Sequence, residues 1–174
     1  VERVSAEIEK LSRDEKLGQR CEILADIVKA LRVLYPRATQ TQKELLETII
    51  GAAIWYLPEC EGLFSGKMTA KALELCGQDP KQFAKLTKEH FYPRKQAGAD
   101  LLKDQETPWD RKMILDGFRT KWGRYHRVTK AENRALVSSQ RKKLMKSEDC
   151  YRGARIDLVD VPAQLMVRRS QKKA

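Results

Sequence analysis

Apolar residues return along the first third of the chain with the period of a helix. Leu17, Cys21, Leu24, Val28, Leu31 and Tyr35 fall on one face at spacings of three and four, as in a helix packed on one side. Ser12-Arg13-Asp14-Glu15 in front of them reads as a capping box. The Ser12 hydroxyl can accept from the Glu15 amide while the Glu15 carboxylate reaches back to the Ser12 amide. Pro36 closes the run, because the residue before a proline avoids helical dihedrals. A second box is read at Thr41-Gln42-Lys43-Glu44. Leu45, Ile49, Ala52 and Ala53 follow it as a broad apolar face that reaches Trp55 and stops near Pro58. Thr69 to Cys76 predicts a short helix capped by Gly77, and Asp79-Pro80 opens another.

The pattern changes after Leu86. Thr87 to Tyr92 is short, mixed and partly aromatic, and reads as an extended segment stopped by Pro93. Thr107-Pro108-Trp109-Asp110 starts a further helix, with Ile114, Leu115, Phe118 and Trp122 at helical spacing and Gly123 as its end. Tyr125-His126-Arg127-Val128 predicts a strand. Thr129-Lys130-Ala131-Glu132 is a third capping box, opening a helix to about Leu144. Arg155 to Val161 partly alternates and predicts a last strand. The expected fold is mainly α with a small β element: a helical N-terminal half and a basic α+β C-terminal half. The corresponding regions are a helical scaffold over 1–86, a basic nucleic-acid-binding or catalytic region over 87–161, and a basic tail over 162–174.

Charge sharpens that division. The chain has a formal net charge of +11. Residues 1–86 hold 13 Lys/Arg and 13 Asp/Glu, which leaves 22 of the 35 bases and 11 of the 24 acids to residues 87–174. The whole excess lies in the second half, as a polyanion-binding surface would require. The neutral first half, with its apolar faces, suits scaffolding or a homo-oligomer contact. No apolar run is long enough to cross a bilayer. Of four cysteines, Cys21 and Cys76 fall among helical apolar positions and none forms a C-x-x-C pair, so reduced core thiols in a cytoplasmic protein are expected.

Candidate chemistry centres on Lys88-Glu89-His90-Phe91-Tyr92-Pro93-Arg94-Lys95. A neutral imidazole at His90 can take a proton from water, and the adjacent Glu89 carboxylate can hold a divalent cation against a phosphate. Successive strand residues point to opposite faces. Both can therefore meet one substrate only if the strand ends or bends between them, and Pro93 supplies the ending. Further on, Asn133 lies in the first turn of the capped helix, with Gln140 seven residues later on the same face. Arg94, Lys95, Arg124, Arg127, Lys130, Arg134, Arg141, Lys142 and Lys143 form the pool of phosphate contacts. Among aromatics interleaved with bases, Trp109 and Trp122 read as core, and Tyr92 and Tyr125 as the stacking candidates. Ser-Gly-Lys-Met-Thr at 65–69 lacks the earlier glycine and the hydroxyl of a phosphate loop, and nucleotide binding is rejected there.

Acid–His, an intervening hairpin region, then Asn-x-x-Leu and a polar residue before Lys/Arg, resembles the HNH (ββα-metal) nucleases over about residues 87–143. The resemblance implies His90 as general base, Glu89 and Gln140 as metal ligands, Asn133 orienting the base, and Mg or Mn as cofactor. His126 is a second candidate ligand.

Metal-dependent phosphodiester cleavage, as a DNA endonuclease, is therefore the first expectation. A non-enzymatic DNA- or RNA-binding protein is the second, and a helical adaptor for an acidic protein the third. The expected partner is nucleic acid, DNA before RNA, with no membrane.

Overall fold

The computed structural model describes residues 11–142, 147–163 and 165. It is mainly helical, with one four-stranded sheet, as the sequence predicts. Helix α1 spans Arg13–Leu34, and its Ser12–Glu15 capping box is formed on both sides. Leu17, Cys21, Leu24 and Val28 are buried along it, in the predicted stripe. A 3₁₀ turn at Tyr35–Arg37 carries Pro36 and leads into α2, Gln40–Trp55. The capping box of α2 is Thr39 with Gln42, two residues before the predicted one, because Thr39 is the last extended residue ahead of the helix.

Strand β1, Phe64–Thr69, was not expected and comes next. Thr69 caps α3, Ala70–Gln78, which runs through Gly77 instead of stopping there. Asp79 caps a 3₁₀ turn, Pro80–Lys85. Strand β2 is Thr87–His90 and α4 is Arg94–Lys103. Helix α5, Arg111–Gly117, is capped by Asp110 and continues into a π-helical turn, Phe118–Trp122. Strand β3 is Tyr125–Val128, α6 is Lys130–Lys142, α7 is Ser147–Gly153 and β4 is Leu158–Asp160.

The sheet order is β2-β3-β1-β4. β1 runs parallel to β3 and antiparallel to β4, and β2 runs antiparallel to β3. The boundary expected at residue 86 is therefore not a seam: β1, from the first region, lies between two strands of the second. Three buried clusters hold the layers. The largest joins α1, α2, α4 and the α5–π segment to Tyr125. A second gathers Met68, Ala72, Cys76 and Leu86 around α3. A third puts Val128, Leu136, Cys150 and Tyr151 between β3 and helices α6 and α7.

α2 and α4 meet at their backbones. A Cβ built on Gly51 would lie 2.3 Å from the Arg94 carbonyl oxygen, and one on Gly98 would lie 2.1 Å from that of Glu47. Only glycine fits at both points of the crossing. Glu47 is itself buried and accepts from the Tyr35 hydroxyl at 2.6 Å. All four cysteines are free thiols, and burial pushes that of Cys21 up to about 11. No helix among the described residues is long and apolar enough to cross a membrane.

Candidate functional site

Strand alternation decides how the Glu89-His90 pair is used. β2 and β3 pair Lys88 with Arg127, Glu89 with His126, and His90 with Tyr125. The side chains of Lys88 and His90 meet the Tyr125 ring on one face of the sheet. Glu89 points to the other face, where it accepts from the Tyr151 hydroxyl at 2.6 Å. Pro93 comes too late to bend the chain between the two. The structure therefore separates the acid and the imidazole that the sequence places side by side.

On the first face, His90 is half-buried at a cavity of about 210 Å³, between the end of α2, β2, the start of α4 and the π turn. Its ring centroid lies 4.2 Å from that of Trp55. Its Nδ1 and the Trp122 Nε1, both buried, find no hydrogen-bond partner among the described residues. Burial lowers the His90 pKa, Lys88 and Arg94 push it the same way, and Glu59 and the Trp122 backbone oppose. The ring is therefore neutral near pH 7, with a proton-accepting nitrogen available in one tautomer.

Three cations, Arg94, Lys121 and Lys88, gather at the rim of this cavity, each over an aromatic ring. Arg94 lies 4.2 Å from the Trp55 centroid and Lys121 lies 4.4 Å from that of Tyr92. Lys88 lies 5.3 Å from Tyr125, whereas Arg124, 6.0 Å from Phe91, belongs to the opposite face, where Phe91 stacks on His126. Lys88 is paired with Glu59, and Lys121 with Asp100 at 3.0 Å. Arg94 is exposed and has no carboxylate partner among the described residues. It also opens α4, whose N-terminus has no side-chain cap and so presents free amides and the positive end of the helix dipole.

The second face holds a closed polar network. His126 is 8% exposed, stacked on Phe91 at 5.0 Å and edge-on to Tyr151. The Ser65 hydroxyl lies 2.6 Å from its Nδ1. Burial pushes His126 down to about 4, with Lys67 and Arg124 adding to the effect. Burial and the neighbouring Glu89 carboxylate raise the Tyr151 phenol.

The remaining predicted residues scatter. Asn133 sits in the first turn of α6, which leaves β3 at Val128, beside Thr87. His90 is at the opposite end of that strand pair, three residue steps or about 10 Å away along the strand. Glu132 completes its capping box with Thr129 and also accepts from the Thr69 hydroxyl at 2.8 Å. Arg127 is buried, donates to the Leu86 carbonyl at 2.9 Å and lies over Phe83, so it is withdrawn from any phosphate. Lys95 is 4.0 Å from Glu47. Lys130 and Arg134 are exposed on α6, away from the cavity. The side chains of Gln140, Arg141 and Lys142, and all of Lys143, lie outside the described residues. Tyr125 is buried and the Tyr92 hydroxyl donates to Asp100 under Lys121, so neither stacking candidate offers a free face.

The ββα order implied by the resemblance has a counterpart in β2, β3 and α6, with residues 91–124 inserted between the strands. Among the described residues, however, no three His, Cys, Asp or Glu side chains converge as a metal site requires. The proposed first ligand, Glu89, faces away from the His90 cavity. The described side chains do not fit a divalent cation beside His90.

The sequence reading missed Trp55, Glu59, Lys88 and Lys121. Lys88 was within reach, since a residue two before His90 on a strand shares its face. The other three arrive from distant segments and carry no local signal. Compared with protein-family models, with curated proteins and with solved structures, the chain shows no match.

Proposed function

We propose that this chain binds nucleic acid at the rim of the His90 cavity. The observation that supports the reading is the group of three cations over aromatic rings, with Arg94 exposed beside an uncapped helix start. Helix amides and an unpaired guanidinium suit one phosphate. Lys121, over Tyr92, extends the positive rim for its neighbours. Trp55, 42% exposed, supplies a platform on which a base can stack where the Arg94 guanidinium now rests.

Fluorescence anisotropy with labelled single-stranded and duplex DNA, then RNA, tests the reading. Replacing Arg94 and Lys121 together by Ala should weaken binding about tenfold or more and reduce the salt slope by roughly one to two. An unchanged slope puts the phosphates elsewhere. Weak, non-saturating binding at low salt favours the acidic-protein partner instead.

One observation favours hydrolysis as a second reading: His90 is neutral, with Nδ1 unpartnered among the described residues, beside Arg94. In that step the imidazole takes a proton from water, and the resulting hydroxide oxygen bonds to phosphorus. The P–O ester bond breaks, and the departing oxygen takes a proton from solvent. A plasmid assay with Mg²⁺ or Mn²⁺ separates the readings. Under hydrolysis, His90→Ala abolishes nicking while DNA binding persists, and Glu89→Gln leaves nicking unchanged because Glu89 lies on the other face. A folded Glu89→Gln protein that binds DNA but no longer nicks would return Glu89 to the site.

A further inference from the structure

Helices α1 and α2 each carry a second apolar row besides the one that enters the core. On α1 the row is Ile23, Ile27, Ala30 and Leu34, and on α2 it is Leu45, Ile49 and Ala52, continued by Tyr56 at the C-terminal cap. Both advance by four, three and four residues, the spacing of a coiled-coil seam. The large side chains face solvent: Ile23 is 62% exposed, Leu34 58%, Leu45 60% and Tyr56 73%.

The two rows lie side by side. Arg20 on α1 donates to the Tyr56 carbonyl at 2.6 Å, so the start of α1 meets the end of α2 and the helices run antiparallel. Ile23 and Ile27 share an open groove of about 410 Å³ with Ala53 and Tyr56. A continuous apolar surface of this kind marks an interaction site.

We propose that a second copy of this chain covers it, as a two-fold dimer in which each α1–α2 pair packs on its mate in a four-helix layer. The area fits. The exposed fractions of the six large side chains amount to a little over three whole residues, on the order of 600 Å² of apolar surface. A standard interface takes roughly 800 Å² from each partner, about 65% of it apolar in homodimers, or about 520 Å². The shape fits as well. A two-fold contact needs a patch complementary to itself, and two antiparallel helices with the same seam spacing provide one. Charge permits it too: the first half carries 13 bases and 13 acids. Two copies meeting there avoid the repulsion between their basic halves.

The full chain is examined by light scattering after size exclusion and by sedimentation equilibrium, in 0.15 M and 1 M salt. A dimer is expected at micromolar concentration in both. Leu45→Glu with Ile49→Glu, both at exposed positions, should raise the dimer dissociation constant at least 100-fold with unchanged helical circular dichroism. Ile27→Glu should do the same from the other helix. A wild-type protein that is monomeric at 100 µM overturns the proposal and leaves the face to a different partner. A dimer that survives both sets of substitutions overturns it by placing the contact elsewhere.

Discussion

Bringing the protein from pH 7 to pH 4 should remove about 3 kcal/mol of folding stability through His126. The ring is buried and its pKa is pushed down to about 4, chiefly by burial. In the unfolded chain a histidine titrates near 6.5. Between these values the unfolded chain binds a proton and the native protein does not, so stability is fully present above about pH 6.5 and falls as pH drops toward 4. The groups facing the ring are Lys67 and Arg124, which disfavour its charge, the Ser65 hydroxyl, and the aromatic rings of Phe91 and Tyr151. Glu89, its cross-strand neighbour, turns its carboxylate to the Tyr151 hydroxyl. His90 is lowered in the same direction and adds to the loss. Urea unfolding followed by tryptophan fluorescence at pH 7, 5.5 and 4 measures the effect. His126→Gln keeps an acceptor for Ser65 and removes the titration, so its stability should change less over this range. An equally steep acid limb in the variant would assign the proton uptake to other groups.

The burial of His126 beside Glu89 shows what the sequence could and could not reveal. The alternation rule already required Glu89 and His90 to diverge unless the strand broke, and β2 continues unbroken through both residues. The identity of each face was hidden, because it depends on Trp55 from α2 and Tyr151 from α7. The core stripe of α1 and the boxes at Ser12 and Thr129 were legible because capping and helical period are local. β1 was not: Phe64–Thr69 contains Gly66 at φ 80° and does not alternate, and its partners β3 and β4 lie far along the chain. α4 was missed for a related reason, since Gly98 reads as a helix breaker until α2 is placed against it. On α2 the row read as a core face, Leu45 and Ile49, is the exposed one. The core takes Ile50, Gly51 and Ile54 together with Glu47, whose carboxylate is satisfied by Tyr35.

Gly98→Ala should destabilise the fold by about 2–3 kcal/mol, although alanine is the better helix former by roughly 1 kcal/mol. The added methyl would sit 2.1 Å from the Glu47 carbonyl oxygen and 3.0 Å from the Gly51 amide nitrogen. These are backbone atoms of a helix, so they cannot rotate away as a side-chain tip would. α4 must move off α2 as a body, and the apolar contacts of Ala97, Leu101 and Leu102 with the core loosen with it. Gly77→Ala provides the matched control: it too lies in a helix, but its added Cβ meets nothing within 4 Å. There the propensity gain stands alone, and a stabilisation of up to about 1 kcal/mol is expected. Urea midpoints with unchanged slopes give the two values on one scale. Because α4 begins at Arg94 and its start forms one wall of the His90 cavity, Gly98→Ala should also weaken the proposed nucleic-acid binding while leaving every cation in the sequence. A Gly98→Ala protein as stable as Gly77→Ala would mean that the α2–α4 crossing has slack. Binding that holds while stability falls would separate the cation rim from the position of α4.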